Sequence, residues 1–307
     1  MSSEASYSSK ATGTRYVGLI IVSTFLQGSS FVASQIVLRD MAPLWLASVR
    51  FLVASVAMIP LFWLVKRQRF PSMPKGVQWL HVVVIGALQT AGVMALLNFG
   101  LRETTAARAA LLMASNPLVV AVLSTVVLGE ALSRRAAFGL LIAFAGVLAS
   151  IGGDALTKSG GVGRGELLVA CASLCWASST TVAKRIGATL GAFELTFWQM
   201  LTGSFLLIAI AYVSGQTFRL PQSQVVWDAL LWLSIPASMG AMGTWFGALA
   251  LGGAVRTSGF LFLCPVFSAA IAFLVNGETV SGHEIAGAGL VGVGLLLLAG
   301  RRATMNA

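Results

Sequence analysis

The chain has 307 residues, 57% of them hydrophobic and only 10% charged, with a mean hydropathy of +0.88. That is more apolar surface than one water-exposed core of this length can bury, so a soluble globular protein is excluded and lipid is the expected solvent. The formal charge of +10 does not point to nucleic acid, because the basic residues fall in short stretches between apolar segments, where they act as topological signals.

In chain order, residues 1–15 are Ser/Thr/Ala-rich without hydrophobic periodicity and are expected to form a disordered cytoplasmic tail. Apolar segments follow at roughly 16–38, 43–65, 77–100, 106–128, 135–152, 165–187, 192–214, 227–250, 255–275 and 282–300. Each has about the twenty residues needed to cross a bilayer as a helix. The first is too long for the apolar region of a cleaved signal peptide. Residues 302–307 form a second short tail. The expected fold class is therefore all-α and integral to the membrane, with ten transmembrane helices.

Lys and Arg resist translocation, so their distribution orients the chain. With the N-terminus in the cytoplasm, the inner side holds Lys10, Arg15, Lys66, Arg67, Arg69, Lys75, Arg134, Arg135, Lys184, Arg185, Arg256, Arg301 and Arg302. The outer side holds only Arg39, Arg102, Arg108, Lys158, Arg164 and Arg219. Both termini are thus expected on the cytoplasmic face of the inner membrane. Trp45, Trp63, Trp79 and Trp227 lie at segment ends, as an interfacial aromatic belt requires. Cys171, Cys175 and Cys264 lie within apolar segments and match neither a disulfide framework nor a metal pattern.

The chain also repeats itself. Pro117 matches Pro265, Gly129-Glu130 matches Gly277-Glu278, and Ser133, Gly139, Gly146 and Gly152 match Ser281, Gly287, Gly294 and Gly300, all at an offset of 148 (265 minus 117). The same offset pairs Gly92 with Gly240, Met94 with Met242, Ala106 with Ala254 and Arg108 with Arg256, while Ser29-Ser30 pairs with Ser178-Ser179 at 149. Matched Pro, Gly-Glu and Arg in one register indicate duplication, with repeats over 16–153 and 164–301. Five helices per repeat is an odd number, so the halves enter from opposite sides. Inverted-topology halves around a central cavity are the architecture of alternating access.

Leu128-Gly129-Glu130-Ala131-Leu132-Ser133 with Gly139 and Gly146, echoed by Asn276-Gly277-Glu278-Thr279-Val280-Ser281 with Gly287 and Gly294, resembles the EamA family of the drug/metabolite transporter superfamily. The resemblance covers nearly the whole chain and implies export of amino acids, other metabolites or toxic cations, without choosing among them. Gln27-Gly28-Ser29-Ser30 departs from it, since the family usually carries Trp-Gly there; the Trp stands in the second half as Trp176.

Polar residues inside apolar helices are the candidate substrate contacts, because in lipid they need a cavity or a neighbouring helix. Ser23, Gln27, Ser30 and Ser34 make one face of the first helix; Ser173, Trp176, Ser179 and Thr180 make the corresponding face of the sixth. Thr90, Met94 and Asn98 on the third helix oppose Ser238, Met242 and Trp245 on the eighth, and Ser115 and Asn116 flank Pro117 on the fourth. Each has an alternative in plain helix packing, and Gly243 and Gly247 suggest a close helix contact. Pro117 and Pro265 are candidate hinges, each freeing a carbonyl in mid-helix. Arg108 and Arg256 begin matched helices and are candidate gates. Arg50, the one fixed charge well inside a segment, could bind a substrate anion, snorkel, or cap carbonyls of a neighbouring helix.

The acidic residues fall in the tail, in loops or near helix ends. An uncharged or zwitterionic solute therefore ranks above a lipophilic cation. Glu130 and Glu278 precede Ser133 and Ser281, expected N-caps. With His81 and His283 near helix ends and no acid or nucleophile cluster, an enzyme is disfavoured. No cofactor or metal is expected; the partners are a small-molecule substrate and the bilayer, and the sequence leaves the oligomeric state open, a monomer being plausible. The leading expectation is a secondary transporter exporting an amino acid or similar metabolite. The alternatives are an importer of a vitamin or nucleotide-like anion using Arg50, and a non-transporting scaffold or channel.

Overall fold

The computed structural model describes residues 2–67, 70–100, 103, 112–113, 115–151, 163–186, 190–276 and 282–299, and the described residues contain helices and no strand. We label the helices α1 (Ser2–Val37), α2 (Pro43–Lys66), α3 (Val77–Gly100), α4 (Asn116–Leu128), α5 (Arg134–Ile151), α6 (Arg164–Ile186), α7 (Ala192–Val213), α8 (Gln224–Gly252), α9 (254–276) and α10 (Gly282–Ala299). Among the described residues, six stretches are long and apolar enough to cross a membrane: Gly13–Ser34 of α1, Pro43–Leu64 of α2, Arg164–Arg185 of α6, and all of α3, α7 and α8. Asn116–Leu128, Ala254–Ser268 and Ile285–Leu298 are shorter apolar helices.

The residues explain where these helices start and stop. Pro43 sits in the first turn of α2, where its missing N–H would have had no partner. Gly129 ends α4 at φ +65° and Gly253 turns the α8–α9 corner at φ +79°, conformations that a side chain disfavours. The expected N-cap at Ser133 is present, its Oγ accepting the Ala136 N–H at 3.2 Å. Large apolar side chains point outward, with Val213 91%, Val126 78% and Leu296 71% exposed. In water such a surface would be a liability; in hydrocarbon it is the expected one.

Two expectations change. The tail expected to be disordered is helical from Ser2, continuous with α1; no Gly or Pro precedes Gly13 to stop it. Pro117 occupies the first turn of α4 rather than its middle. The chain turns at Ser115 and the helix starts afresh, so Pro117 removes no hydrogen bond. Pro265 likewise follows a tightened 3-10 stretch at Phe260–Phe262, near the start of the next helical piece. Arg108, Glu278, Ser281, and residues 106–111 and 114 of the expected 106–128 segment, lie outside the described residues.

Lipid supplies no hydrophobic drive between helices, so close approach through small residues does much of the packing. α5 and α10 cross on glycine. A Cβ on Gly139 would lie 2.8 Å from the Gly294 carbonyl oxygen, and one on Gly146 would lie 2.7 Å from that of Gly287. The two helices therefore run antiparallel. α3 and α7 cross where a Cβ on Gly86 would lie 2.7 Å from the Gln199 carbonyl oxygen, and α1 crosses α9 where a Cβ on Gly28 would lie 2.8 Å from the Cys264 carbonyl oxygen. Gly243 and Gly247 make no such crossing. A Cβ at Gly243 would meet open space, and one at Gly247 only the end of the Leu19 side chain at 3.4 Å.

Both α3 and α8 are wound as π-helix in mid-course, at Gly86–Gly92 and Ile235–Gly240. The two stretches end 148 residues apart (240 minus 92), at the paired glycines. A π stretch inserts a residue into the helical ladder and often marks a functional site. In α8 the cause is partly Pro236, which has no N–H to give.

Candidate functional site

The π turns bring polar side chains together at mid-depth. On α3, Gln89 is 4% and Thr90 1% exposed. The tight crossing at Gly86 and Gly203 presses α7 onto this turn, and Thr90 Oγ1 donates to Gln199 Oε1 at 2.7 Å. Ser179 of α6 donates to Gln89 Oε1, while Gln89 Nε2 reaches the Met242 sulfur at 4.0 Å. Trp176 and Trp245 meet edge to face with centroids 6.3 Å apart. From α1, Gln27 Nε2 donates to Ser23 Oγ at 2.9 Å, and Ser23 donates to the Ala241 carbonyl of α8 at 2.8 Å. Asn116 of α4 donates to the Ser173 carbonyl of α6 at 2.8 Å.

The result is one polar centre shared by α1, α3, α4, α6, α7 and α8. Several of its groups are buried with no hydrogen-bond partner: Gln27 Oε1, Asn116 Oδ1, Trp176 Nε1, Gln199 Nε2 and Trp245 Nε1. Leaving such groups unpaired in an apolar surrounding carries a penalty of roughly 1–3 kcal/mol each.

Of the candidates named from sequence, the structure brings Gln27, Thr90, Asn116, Trp176, Ser179, Met242 and Trp245 into this centre. Ser30 and Ser115 bond their own helical turns, to the Gln27 and Leu112 carbonyls. Met94 is half-buried and packs on the hydrophobic core. Asn98 lies two turns along α3 from Thr90, where its Nδ2 donates to the Pro43 carbonyl at 3.2 Å.

Arg50 is buried but committed. Its Nε donates to Ser238 Oγ at 2.9 Å, its Nη2 reaches the Ala237 carbonyl at 3.4 Å, and its guanidinium stands 4.9 Å from the Phe51 ring centroid. It therefore caps the π turn of the neighbouring α8. Sequence reasoning missed Gln89 and Gln199. The available signal was an amide side chain inside an otherwise apolar run, which Gln199 provides as plainly as Gln27 does.

The two ends of the bundle differ. At the end carrying Arg67, Lys184 and Arg256, α1 closes on the α8–α9 corner. Tyr16 packs against Gly252 and Phe260, with the Arg256 guanidinium 4.5 Å from its ring centroid. Lys184 Nζ donates to the Leu249 and Ala250 carbonyls at 3.0 and 3.4 Å, and Glu130 Oε1 accepts the Ala254 N–H at 3.4 Å. The opposite end carries a cleft of 420 Å³ lined by Leu38–Pro43, Asn98, Thr217 and Arg219. Among the described residues no group of His, Cys, Asp and Glu is arranged to hold a metal ion.

The EamA-like transporter family matches the chain twice, over residues 14–152 and again over 163–300. A protein of Salmonella typhimurium named as a probable amino-acid metabolite efflux pump is 26% identical, covering 92% of this chain and 93% of that one. Its namesake in Escherichia coli is 25% identical over 91% and 93%. A transporter of Archaeoglobus fulgidus is 29% identical over 85% and 89%. One crystal structure superposes with a TM-score of 0.78 at 19% identity, covering 92% of this chain and 96% of that one, which establishes likeness of fold. The chain is a multi-pass membrane protein and belongs to the EamA-like transporter family.

Proposed function

We propose that this protein is a secondary carrier that exports an amino acid or closely related metabolite across the cytoplasmic membrane by alternating access. The carrying observation is the buried, partnerless polarity of the centre. Trp176 Nε1, Trp245 Nε1 and Gln199 Nε2 are donors suited to a carboxylate or carbonyl, and Gln27 Oε1 is an acceptor suited to an ammonium. A zwitterion seated there would relieve the desolvation penalty that these unpaired groups bear. Arg50 is engaged by α8, so the anion-import alternative has no observation in its favour. The names of the Salmonella and Escherichia relatives support both the solute class and the direction.

Equivalent halves of opposite orientation are one architecture that permits alternating access, and four features support that reading. The family matches twice in tandem. The π turns coincide at the repeat offset. Gly139 meets Gly294 while Gly146 meets Gly287, which is the reciprocal pattern of a two-fold axis, since 287 minus 139 and 294 minus 146 are both 148. The pairs Thr90–Gln199 and Arg50–Ser238 correspond as well: 238 minus 90 is 148 and 199 minus 50 is 149. Each π turn is thus held by the second helix of the other half. In this reading the chain crosses the bilayer ten times with both termini in the cytoplasm, the Tyr16–Arg256 end is cytoplasmic and closed, and the 420 Å³ cleft faces outward.

The test is leucine uptake by reconstituted vesicles carrying Gln199→Leu. Losing an amide whose Nε2 has no partner should leave stability within about 1.5 kcal/mol of wild type, while saturable uptake falls at least about tenfold. Full uptake by a folded Gln199→Leu carrier would place the solute elsewhere.

A further inference from the structure

The outward cleft contains charge that the polar centre lacks. Arg39 and Arg219 both line it, both are exposed, and neither side chain has an ion pair or hydrogen bond to a described residue. Asp40 lines the same cleft, with one carboxylate oxygen taken by the Gln222 backbone N–H at 2.9 Å. Asn98 donates to the Pro43 carbonyl, which leaves its own carbonyl oxygen available.

The cleft is built rather than incidental. Its two walls, the α1–α2 turn and the loop after α7, are tied together on several sides. Trp45 Nε1 donates to the Gln216 carbonyl at 2.7 Å, and the Leu44 N–H donates to Gln216 Oε1 at 3.1 Å. The Trp45 ring is wedged edge-on between Tyr212 and Phe218, with centroids 5.3 and 5.0 Å away. With the Asp40–Gln222 bond, these contacts fix the loop bearing Thr217 and Arg219 against the turn bearing Arg39 and Asp40. Walls held this way lose little entropy when a solute binds between them.

We infer that this cleft is a second solute site, an outer vestibule that holds a small zwitterion by its carboxylate on Arg39 and Arg219, with Asp40 and the Asn98 carbonyl beside its ammonium. Guanidinium forks suit a carboxylate. Two cations and one partly engaged carboxylate leave a net positive mouth, which draws the acidic end first. The inference rests on the proposed function for its solute class and for which face is outer. It adds a step: a solute leaving the neutral centre is received by charged groups at the exit, and a solute entering from outside meets them first.

The experiment measures binding of leucine and leucinamide to the purified carrier in lipid nanodiscs. The proteins compared are wild type, the double variant Arg39→Gln/Arg219→Gln, the charge-preserving Arg39→Lys/Arg219→Lys, and Gln199→Leu. Leucinamide keeps the ammonium and side chain but lacks the carboxylate, so any general loosening of the protein weakens both ligands alike. The expected wild-type preference for leucine is at least about tenfold, the worth of one charge-assisted hydrogen bond. Because the centre also offers carboxylate donors, both pairs are placed in the Gln199→Leu background: there the preference should collapse to about twofold or less with the Gln pair and be largely restored with the Lys pair. A preference that survives the Gln pair in that background overturns the vestibule. Succinate and inorganic phosphate, titrated on the same proteins, separate this inference from the broader one. If leucine does not bind but succinate does, in an Arg39- and Arg219-dependent way, the amino-acid reading fails and the carboxylate site stands. If only phosphate binds, the carboxylate assignment is wrong. If leucine binding is lost in Gln199→Leu and untouched in the Gln pair, the centre stands and the vestibule falls.

Discussion

Replacing Gly146 or Gly294 by alanine should unlock the crossing of α5 on α10. A Cβ at Gly146 would lie 2.7 Å from the Gly287 carbonyl oxygen, 2.7 Å from the Val291 nitrogen and 2.9 Å from Leu290 Cβ; one at Gly294 would lie 2.6 Å from the Ala143 nitrogen and 2.7 Å from Ala143 Cβ. Most of these are backbone atoms of a helix, which cannot step aside singly. Reaching ordinary contact near 3.5 Å requires the helices to separate by roughly 0.5–1 Å, which forfeits a quarter to a half of the dispersion energy along the seam. Overpacking of this kind costs about 1–3 kcal/mol.

The same helix supplies the control. Gly289 and Gly292 of α10 have nothing within 4 Å of a built Cβ, so Gly289→Ala and Gly292→Ala should be neutral or stabilising by up to about 1 kcal/mol through helix propensity. Equilibrium unfolding in mixed detergent micelles, read by tryptophan fluorescence, should separate the two pairs by about 2 kcal/mol or more. If Gly146→Ala and Gly294→Ala are as stable as the controls, α5 and α10 do not cross on glycine and the reciprocal contact is lost as support for two-fold related halves.

Arg50→Met should lower stability by about 1–3 kcal/mol, the loss of the bonds to Ser238 and Ala237. It should leave the relative uptake of neutral and anionic solutes unchanged, and a selective loss of anion uptake in vesicles would show that Arg50 reads substrate charge. Lys184→Met removes the ammonium that caps the last carbonyls of α8. The expected cost is about 0.5–1 kcal/mol, with faster hydrogen exchange confined to residues 250–257; unchanged exchange there would remove Lys184 from the closure of α1 on the α8–α9 corner.

The helices were legible in the sequence because lipid demands long apolar runs and short basic connections, and their breaks fall where Pro43, Gly129 and Gly253 put them. Matched glycines were legible too, although their geometry was not. Gly139 and Gly146, two helical turns apart, looked like repeat markers and proved to be a crossing surface, whereas Gly243 and Gly247, one turn apart, touch no backbone. Spacing reports which residues share a helix face, not what that face meets. The π turns were hidden because winding depends on packing from outside the helix: Gly86 and Gly203 bring α7 onto α3, and the ladder yields. Gln89, Thr90 and Gln199 form a group only as a result of that crossing. Arg50 was ambiguous for the same reason, since its acceptors on α8 lie 187 and 188 residues away. The cleft between the α1–α2 turn and the loop after α7 was least visible. Arg39, Asp40 and Arg219 read as ordinary loop charges until Gln216 and Gln222 tie their loops together.

The most direct test of the central claim is counterflow. Vesicles containing the purified carrier and loaded with unlabelled leucine are diluted into trace labelled leucine. A carrier with one site exposed alternately to each side must exchange label inward, giving a transient accumulation above equilibrium that saturates with outer leucine and is abolished by Gln199→Leu. Label that only equilibrates, without overshoot or saturation, would contradict alternating access and indicate a channel or a scaffold.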